Sequence, residues 1–324
     1  MGSLLDRAVE RTHVVAPDGK SGTRLERVTF DDGTVLVVKR VSPAWDWLMR
    51  ATGDTGRAFL LFHSGAMERV AKVIEHGVVA VEAEEGAWTI FMRDLSDALI
   101  PEDVLVTRPD SRRILAATAA LHGEFQGEQL EGLCTLKDRY AFLSPATAAR
   151  EEEGSDPVPK LIGRGWEIFF EAVPEDVSTA VAAILHDPGG LARQLHSDGG
   201  TLIHGDLKLG NLGLFPDRVV AVDWGDRAGI APSEVEFAWY LAINASRIEA
   251  TREELIEDWR EVCGDRCDER ALKLALLGGL VQLGWNKALD AVDNHDAAVR
   301  GRELDDLNWW VAAARRGLEI WSPV

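Results

Sequence analysis

Residues 204–211 of the chain read His204-Gly205-Asp206-Leu207-Lys208-Leu209-Gly210-Asn211, and residues 223–226 read Asp223-Trp224-Gly225-Asp226. Each polar cluster follows a strand-like run, Thr201 to Ile203 in the first case and Arg218 to Val222 in the second. Branched apolar residues bounded by polar turn residues are typical of short strands. We therefore expect two polar loops, each beginning where a short strand ends.

Three side chains in these loops suit phosphoryl transfer. That reaction requires a protein to orient a nucleophile, to hold metal on the phosphates and to offset charge, with little covalent work of its own. Asp206 can orient a substrate hydroxyl or accept its proton, and Asn211 and Asp223 offer the oxygen ligands that magnesium prefers. The alternative is that Asp206 and Asn211 only cap turns, where Asp, Asn and Gly are common.

At these positions the chain resembles the aminoglycoside phosphotransferases and related small-molecule kinases. Their catalytic loop is His-Gly-Asp with Asn five residues after the Asp, followed by a metal-binding Asp at the next strand end; His204 to Asn211 and Asp223 match this pattern. The resemblance implies an α+β, protein-kinase-like two-lobe fold, with a small antiparallel-sheet N-terminal lobe and a larger, mostly helical C-terminal lobe. It also implies ATP and Mg2+ as cofactors.

The resemblance gives each loop residue a role. Asp206 is expected to be the catalytic base or orienting residue, Asn211 and Asp223 the metal ligands, and His204 a residue that organises the loop. Lys208 departs from the His often seen there in the antibiotic kinases and looks like the lysine of protein-kinase catalytic loops. It is therefore expected to touch the γ-phosphate, with a solvated surface lysine as the alternative.

The N-terminal part predicts the order strand pair, helix, strand. Alternating residues from Arg24 to Arg40, interrupted by the turn Asp31-Asp32-Gly33-Thr34, predict a β-hairpin. A helical pattern follows from about Arg57 to Ile74, and a further strand is predicted from Trp88 to Met92. This is the order of a small nucleotide-binding lobe.

Lys39 is the predicted phosphate-binding lysine of this lobe. It ends the apolar strand Val35 to Val38, as the kinase lysine that meets the α- and β-phosphates ends its own strand. The active kinase arrangement usually pairs this lysine with a glutamate from the following helix, but residues 56–61 contain no carboxylate. Glu68 is the nearest candidate for the partner of Lys39, with a solvated helix residue as the alternative, so the partner stays open.

Two further segments are expected to contact the nucleotide. The turn that contains Ser21 and Gly22 can cover the phosphates with backbone N–H groups, because glycine permits a close approach. Phe91 and Met92 stand where the kinase family has its hinge and are expected to border adenine. A plain core strand is the alternative for Phe91 and Met92.

We divide the chain into an N-terminal nucleotide-binding lobe, residues 1–93, and a helical C-terminal lobe, residues 94–324, with the catalytic loop and the acceptor site. Residues Thr147 to Arg164 lack periodicity and predict a long loop. Several residues of the helical part are weaker candidates for the acceptor pocket: Asp226, Glu234, Glu236, Trp285, Asn286, Lys287 and Asp290.

The overall charge bears on the kind of partner. The 324-residue chain has a formal net charge of -19 and a pI near 4.8. This charge argues against a nucleic-acid partner, because proteins that bind the phosphate backbone normally present a basic surface. A cationic or neutral small-molecule acceptor is easier to accommodate, although an acidic surface also serves solubility alone. The oligomeric state stays open.

No segment predicts membrane insertion. Residues 1–7 have no apolar stretch after a basic region, and no run approaches the roughly 18 apolar residues that a membrane span requires. We therefore expect a cytoplasmic protein without a membrane partner.

The predicted function is an ATP- and Mg2+-dependent phosphotransferase that moves the γ-phosphate to a hydroxyl of a small molecule. Aminoglycosides, sugars, amino sugars and amino alcohols are the acceptor classes that the resemblance suggests, and fold-level likeness does not choose among them. Two alternatives remain: a nucleotide-binding regulator that retains the fold without turnover, and an enzyme that transfers an adenylyl group.

Overall fold

The computed structural model describes residues 3–14, 24–196 and 199–322. Its N-terminal part contains the strands β1 Ala8–Val14, β2 Arg24–Phe30, β3 Val35–Val41, β4 Ile74–Glu75, β5 Val78–Glu84 and β6 Ala87–Met92. All of these except β4 form one antiparallel sheet in the order β1-β2-β3-β6-β5. The antiparallel N-terminal sheet that the sequence predicts is confirmed.

The hairpin of β2 and β3 forms where its turn residues indicate. Gly33 has a φ of 82°, a conformation that glycine adopts without a steric penalty. Asp32 Oδ1 accepts a hydrogen bond from Thr34 N at 2.9 Å and so braces the same turn. Lys39 lies on β3 as predicted, paired across the sheet with Ile90 of β6.

Short helices connect β3 to β4. They are α1 Trp47–Thr52, α2 Arg57–His63 and α3 Ala66–Val70. The predicted helix from Arg57 to Ile74 is therefore present but interrupted, because Gly65 adopts a φ of 79° between α2 and α3. Its predicted end is also too late, since Ile74 already belongs to β4.

The two faces of the N-terminal sheet have different neighbours. Side chains alternate between faces along a strand, and the face that carries Ile90 packs against Met49 of α1 and residues of α2. Lys39 and Met92 lie on this face by register and alternation. Phe91 lies on the opposite face, fully buried in a small cluster with Val28, Phe30 and Val38.

The rest of the chain is mostly helical, as predicted. Its helices are α4 Arg108–Glu124, α5 Leu136–Ala141, α6 Pro145–Glu151, α7 Val158–Ala172, α8 Glu175–His186, α9 Gly189–Leu195, α10 Ser233–Asn244, α11 Arg252–Cys263, α12 Glu269–Asp293 and α13 Ala297–Leu318. Short strands interrupt them: β7 Thr201–Ile203, β8 Leu212–Leu214, β9 Val219–Ala221 and β10 Gly229–Ala231. The two strands predicted before the polar loops correspond to β7 and β9.

The long loop predicted from Thr147 to Arg164 is wrong, because helices α6 and α7 occupy most of it. Ser144 caps α6, with its hydroxyl accepting a hydrogen bond from Thr147 N at 3.2 Å. Helix α7 buries Ile162, Trp166 and Phe169, which have the spacing of one helix face. The capping residue Ser144 and two of these three buried side chains, Trp166 and Phe169, lie outside residues 147–164. That segment therefore contains only part of each helical pattern.

The N-terminal part is joined to the helical part through backbone and core contacts. Strand β4 pairs in parallel with β9, with Ile74 opposite Val219. Leu61 of α2 and Ile74 also belong to the large hydrophobic core of the helical part. The division at residue 93 remains a prediction. In the described ranges, no helix combines the length and the apolar character needed to cross a bilayer.

Candidate active site

The first polar loop, residues 204–211, begins directly after β7, and Glu236 of α10 binds the backbone of its first two residues. Glu236 Oε2 accepts a hydrogen bond from His204 N at 2.6 Å, and its Oε1 accepts one from Gly205 N at 2.9 Å. The Glu236 side chain is fully buried. Glu236 was a candidate for the acceptor pocket, and that expectation is wrong because its carboxylate fastens the loop backbone.

His204 organises the loop through both ring nitrogens. Its Nε2 donates to Val222 O at 2.9 Å, and its Nδ1 accepts a hydrogen bond from Asp206 N at 3.1 Å. The imidazole also packs edge-on against Trp224, with ring centroids 4.5 Å apart. These contacts tie the two polar loops together and support the loop-organising role over that of a proton carrier.

Gly205 has a conformation and surroundings that only glycine fits. Its φ is 85°, in the left-handed region that side chains disfavour. A Cβ at this position would stand 2.1 Å from the backbone oxygen of Arg227. The absence of a side chain therefore lets the first polar loop lie directly against residues that follow the second.

The Asp206 carboxylate is oriented by three donors. Its Oδ1 accepts from Trp239 Nε1 at 3.2 Å, and its Oδ2 accepts from Asn211 Nδ2 at 3.1 Å and from Arg227 Nη2. Asp206 keeps only 4% of its area exposed. The sequence did not point to Trp239 or Arg227, since both come from segments distant in the chain.

Asn211 and Asp223 lie at adjoining points of the two loops. Asn211 Nδ2 donates to Asp206 O at 3.0 Å as well as to the Asp206 carboxylate, so its amide oxygen is directed away from Asp206. Val222 N donates to Asn211 O at 2.9 Å and places Asp223 beside it. Among the described residues, Asp223 alone has a positive φ without being glycine, at 69°.

This donor set fits a magnesium ion. An amide oxygen and a carboxylate are hard ligands, and magnesium usually takes one or two protein ligands and completes its shell with waters and phosphate oxygens. Over residues 3–14, 24–196 and 199–322, no cluster of three or more His, Cys, Asp or Glu could hold a metal by itself. The predicted pair Asn211 and Asp223 is compatible with a site that the phosphates complete.

Lys39 reaches the second polar loop. Its Nζ lies 2.5 Å from Asp223 Oδ1 and 3.5 Å from Asp226 Oδ2. Burial disfavours the charge of Lys39, but Asp223, Asp226 and Asp46 outweigh it and raise the Lys39 pKa. Glu68, the nearest candidate in the sequence, is exposed on α3, which agrees with the alternative of a solvated helix residue. The partners of Lys39 are carboxylates of the second loop.

The two carboxylates next to Lys39 differ in pKa. Burial acts to raise the pKa of Asp223, but its closer contact with Lys39 prevails and lowers it. Burial raises the pKa of Asp226 to about 7, because the more distant Lys39 offsets only part of the desolvation. Asp226 is further fixed through its backbone oxygen, which accepts from Arg57 Nη1 at 2.9 Å.

The other predicted site residues have mixed outcomes. Met92 lies on the sheet face that carries Lys39, whereas the Phe91 side chain lies on the opposite face and is removed from the residues expected to border adenine. Lys208 is half-buried and close enough to Asp223 to favour its ionised form. Ser21 and Gly22 lie outside the described residues.

The weaker acceptor-pocket candidates on α10 and α12 make contacts of their own. Glu234 Oε1 accepts from Asp268 N at 3.0 Å, at the start of α12. Lys287 Nζ lies 2.5 Å from Asp306 Oδ2, and Asn286 Nδ2 donates to an Asp290 oxygen at 2.9 Å. The first two contacts link α12 to α10 and to α13, and the third lies within α12. An acceptor role for these residues stays a prediction.

Comparison with solved structures agrees with this architecture. The chain matches a microcompartment-associated aminopropanol kinase with a TM-score of 0.58 and 16% identity, over 97% of this chain and 95% of that one. It matches an amicoumacin kinase, in complex with AMP-PNP and Ca2+, with a TM-score of 0.53 and 13% identity, over 93% and 88%. An aminoglycoside phosphotransferase from Streptomyces rimosus gives 0.52 and 17%, over 85% and 93%.

The chain thus has the fold of these small-molecule kinases, and the predicted α+β, two-lobe, protein-kinase-like fold is confirmed. The likeness lies in structure: neither a family model nor a curated protein sequence matches the chain.

Proposed function

We propose that the chain is a phosphotransferase that moves the γ-phosphoryl group of ATP to a hydroxyl of a small molecule. The observation that carries this proposal is the meeting of Lys39 from the N-terminal sheet with Asp223 from the helical part, beside Asn211 and Asp206. A cation for phosphates, two oxygen ligands for metal and an oriented carboxylate are the groups that phosphoryl transfer requires. The kinases of the same fold support the same reaction class.

Each residue then has a task. Lys39 binds the phosphates, and the amide oxygen of Asn211 and the carboxylate of Asp223 hold Mg2+. When bound, ATP would supply the phosphoryl group, and magnesium would neutralise the charge that develops on it. Met92 borders the nucleotide from the sheet, and Lys208 offsets charge beside Asp223.

Asp206 acts on the acceptor. Its carboxylate, held by Trp239, Asn211 and Arg227, receives the acceptor hydroxyl as a hydrogen-bond donor and fixes the direction of its oxygen. As that oxygen forms its bond to the γ-phosphorus, the bond from this phosphorus to the bridging oxygen breaks and ADP leaves with the electron pair. The hydroxyl proton passes to a carboxylate oxygen of Asp206. His204 keeps Asp206 in place, because its Nδ1 accepts the hydrogen bond of the Asp206 backbone N–H.

The test is phosphoryl transfer from ATP and Mg2+ across a panel of aminoglycosides, hexoses, amino sugars and amino alcohols. Asp206→Asn is expected to lower the rate on the order of 10²–10⁴-fold, the contribution typical of a positioned base, with nucleotide binding retained. Asp217→Asn is the matched control, because Asp217 is exposed between β8 and β9. Unchanged turnover in Asp206→Asn would remove Asp206 from this role.

Product mass separates the rival functions. A phosphotransferase adds a phosphoryl group to the acceptor, whereas an adenylyl transferase adds AMP. Nucleotide binding that persists without transfer to any acceptor would favour a regulator that retains the fold. A chain that binds no nucleotide with Mg2+ would contradict the proposal outright.

A further inference from the structure

Arg227 stands directly beside the carboxylate that is proposed to receive the acceptor hydroxyl. Its Nη2 donates to Asp206 Oδ2, and its guanidinium lies over the rings of Phe142 and Trp239, at 5.6 Å and 5.3 Å from their centroids. Two aromatic faces fix the plane of a guanidinium while its N–H edge stays available for hydrogen bonds. Arg227 is therefore a preorganised cation in contact with Asp206, the carboxylate proposed to receive the acceptor hydroxyl.

The donor capacity of Arg227 is not used up. Within the described ranges, Nε of Arg227 is buried without a hydrogen-bond partner, and Asp206 is the only carboxylate with which the guanidinium pairs. The Arg227 side chain keeps 11% of its area exposed. A guanidinium carries five N–H groups, so one carboxylate oxygen leaves most of them for a further acceptor.

A second guanidinium adds to the positive charge. Arg139 is 1% exposed and lies over the same Trp239 ring at 5.2 Å, and its Nη1 donates to Gly205 O at 2.8 Å. In the described part of the chain, Nε and Nη2 of Arg139 are buried and have no hydrogen-bond partner. Burial lowers the Arg139 pKa, and the nearby Arg227 acts in the same direction.

The neighbouring carboxylates are engaged elsewhere. Glu236 holds two backbone N–H groups of the loop, and Asp223 and Asp226 pair with Lys39 on the nucleotide side. Asp206 itself is therefore the carboxylate that faces Arg227. Arg227, with unused donors, and the buried Arg139 therefore make the surroundings of Asp206 locally positive, although the protein as a whole is acidic.

We propose that the acceptor carries an anionic oxygen group, a carboxylate or a phosphate, next to its reacting hydroxyl, and that Arg227 binds this group. This inference rests on the proposed phosphotransferase function and narrows its substrate class to hydroxy acids and phosphorylated alcohols. It departs from the cationic acceptor that the net charge of -19 favours. Long-range charge is screened beyond about 8 Å at physiological salt, whereas Arg227 acts at contact distance.

The first experiment measures anion binding without any need to know the acceptor. The protein, saturated with AMP-PNP and Mg2+, is titrated with acetate and with inorganic phosphate at constant ionic strength set by chloride, and its unfolding midpoint is followed. Both probes are expected to raise the midpoint, and Arg227→Gln is expected to remove the effect. The relative response to acetate and phosphate distinguishes a carboxylate from a phosphate site.

Three variants make the result specific. Arg316→Gln removes an exposed arginine of α13 and is expected to bind the anions like the parent protein. Arg227→Lys keeps the charge and is expected to retain weaker binding, which guards against a misfolded Arg227→Gln. Asp206→Asn removes the internal carboxylate partner of Arg227, so the added anions are expected to bind more tightly, which a purely structural arginine would not produce.

Turnover gives the second readout, on matched acceptors that differ in charge: glucuronate, glucose and glucosamine, and glycerate and glycerol. Arg227→Gln is expected to lower kcat to a similar extent for every acceptor, because Asp206 loses one of its orienting donors. It is expected in addition to raise KM about 10–100-fold for the acids alone, the loss of one charge-assisted hydrogen bond. A common loss of kcat with no selective rise of KM for the acids would make Arg227 only a positioning residue for Asp206 and overturn the proposal.

The outcomes separate this inference from the function on which it rests. Anion binding that is the same in the parent protein and in Arg227→Gln would overturn the anion site, as would transfer to neutral or cationic acceptors alone. Arg227-dependent anion binding in a protein that transfers no phosphoryl group would contradict the proposed function and leave the anion site standing.

Discussion

Asp223 and Asp226 share the ammonium group of Lys39 unequally, and this makes Asp226 sensitive to pH. Its pKa is raised from an ordinary value of 3.8 to about 7 by burial, and Lys39 at 3.5 Å offsets only part of the effect. Between these values the folded protein holds a proton that the unfolded chain has released. The contribution of Asp226 to the free energy of unfolding therefore falls as pH rises from about 4 to about 7.

Asp226→Asn is expected to remove this penalty. The variant gains stability over the parent protein as pH rises through that window, reaching on the order of 2 kcal/mol above about pH 7. Urea unfolding between about pH 4 and pH 8, without metal or nucleotide, measures the difference. Asp217→Asn, at an exposed position, is expected to show no such trend; a constant difference for Asp226→Asn would contradict the raised pKa.

At the scale of elements, helix α10 supports the catalytic loop through one carboxylate. Glu236 accepts from two backbone N–H groups at once, and Gln at this position has one oxygen and one amide nitrogen that cannot accept. Glu236→Gln leaves a buried N–H without a partner, which costs about 1–3 kcal/mol. We expect lower stability and, because Asp206 shifts with the loop, a lower rate of transfer.

Glu234→Gln is the matched control on the same helix. Its carboxylate accepts a single backbone N–H, from Asp268, and an amide oxygen can replace that acceptor. Urea unfolding and turnover of the two variants are compared side by side. Equal effects in both would mean that the loss reflects α10 in general and not the support of residues 204 and 205.

The sequence predicted the elements whose signals are local. Asp206 and Asn211 stand five residues apart within one loop, where their spacing carries the family resemblance, and the turn with Gly33 lies between its own two strands. The contacts of Glu236 and Arg227 with the first loop escaped prediction because their partners lie 32 and 21 positions away. A local sequence pattern does not show which buried carboxylate accepts hydrogen bonds from the backbone of a distant loop, or which arginine contacts Asp206.

Helix α7 was missed for a different reason. Its face of Ile162, Trp166 and Phe169 is clear when the whole helix is considered, but residues 147–164 contain only its start, where Pro157 and Pro159 stand and no periodicity is visible. Proline is tolerated in the first helical turn, where the missing N–H has no partner to lose. The polar residues 152–156 before these prolines lead directly into the start of α7 and do not belong to a long loop.

Across the described residues, contacts between the two parts include the pairing of β4 with β9, the packing of the short helices α1 to α3 on the helical core, and the reach of Lys39 to the second polar loop. The first two contacts are independent of ligands. The third contact joins groups that the proposed function assigns to phosphates and metal. The same charged side chains therefore contribute both to ligand binding and to the contact between the two parts.

Lys39→Met tests that coupling. Lys39 is 5% exposed, and its loss leaves the carboxylates of Asp223 and Asp226 close together without their cation. Removing one partner of a buried ion pair costs about 3–5 kcal/mol, and the 32% exposure of the Asp223 side chain places the expected loss at the lower end. Urea unfolding measures it, against Lys72→Met, whose side chain is 65% exposed.

Magnesium then distinguishes a charge effect from a packing effect in the same variant. A divalent cation held by Asp223 can replace part of the positive charge that Lys39 supplied, so MgCl2 is expected to restore more stability to Lys39→Met than to the parent protein. Lys72→Met is expected to respond to MgCl2 like the parent. A Lys39→Met protein as stable as Lys72→Met, or one indifferent to magnesium, would show that the contact between the two parts does not depend on the charges of the site.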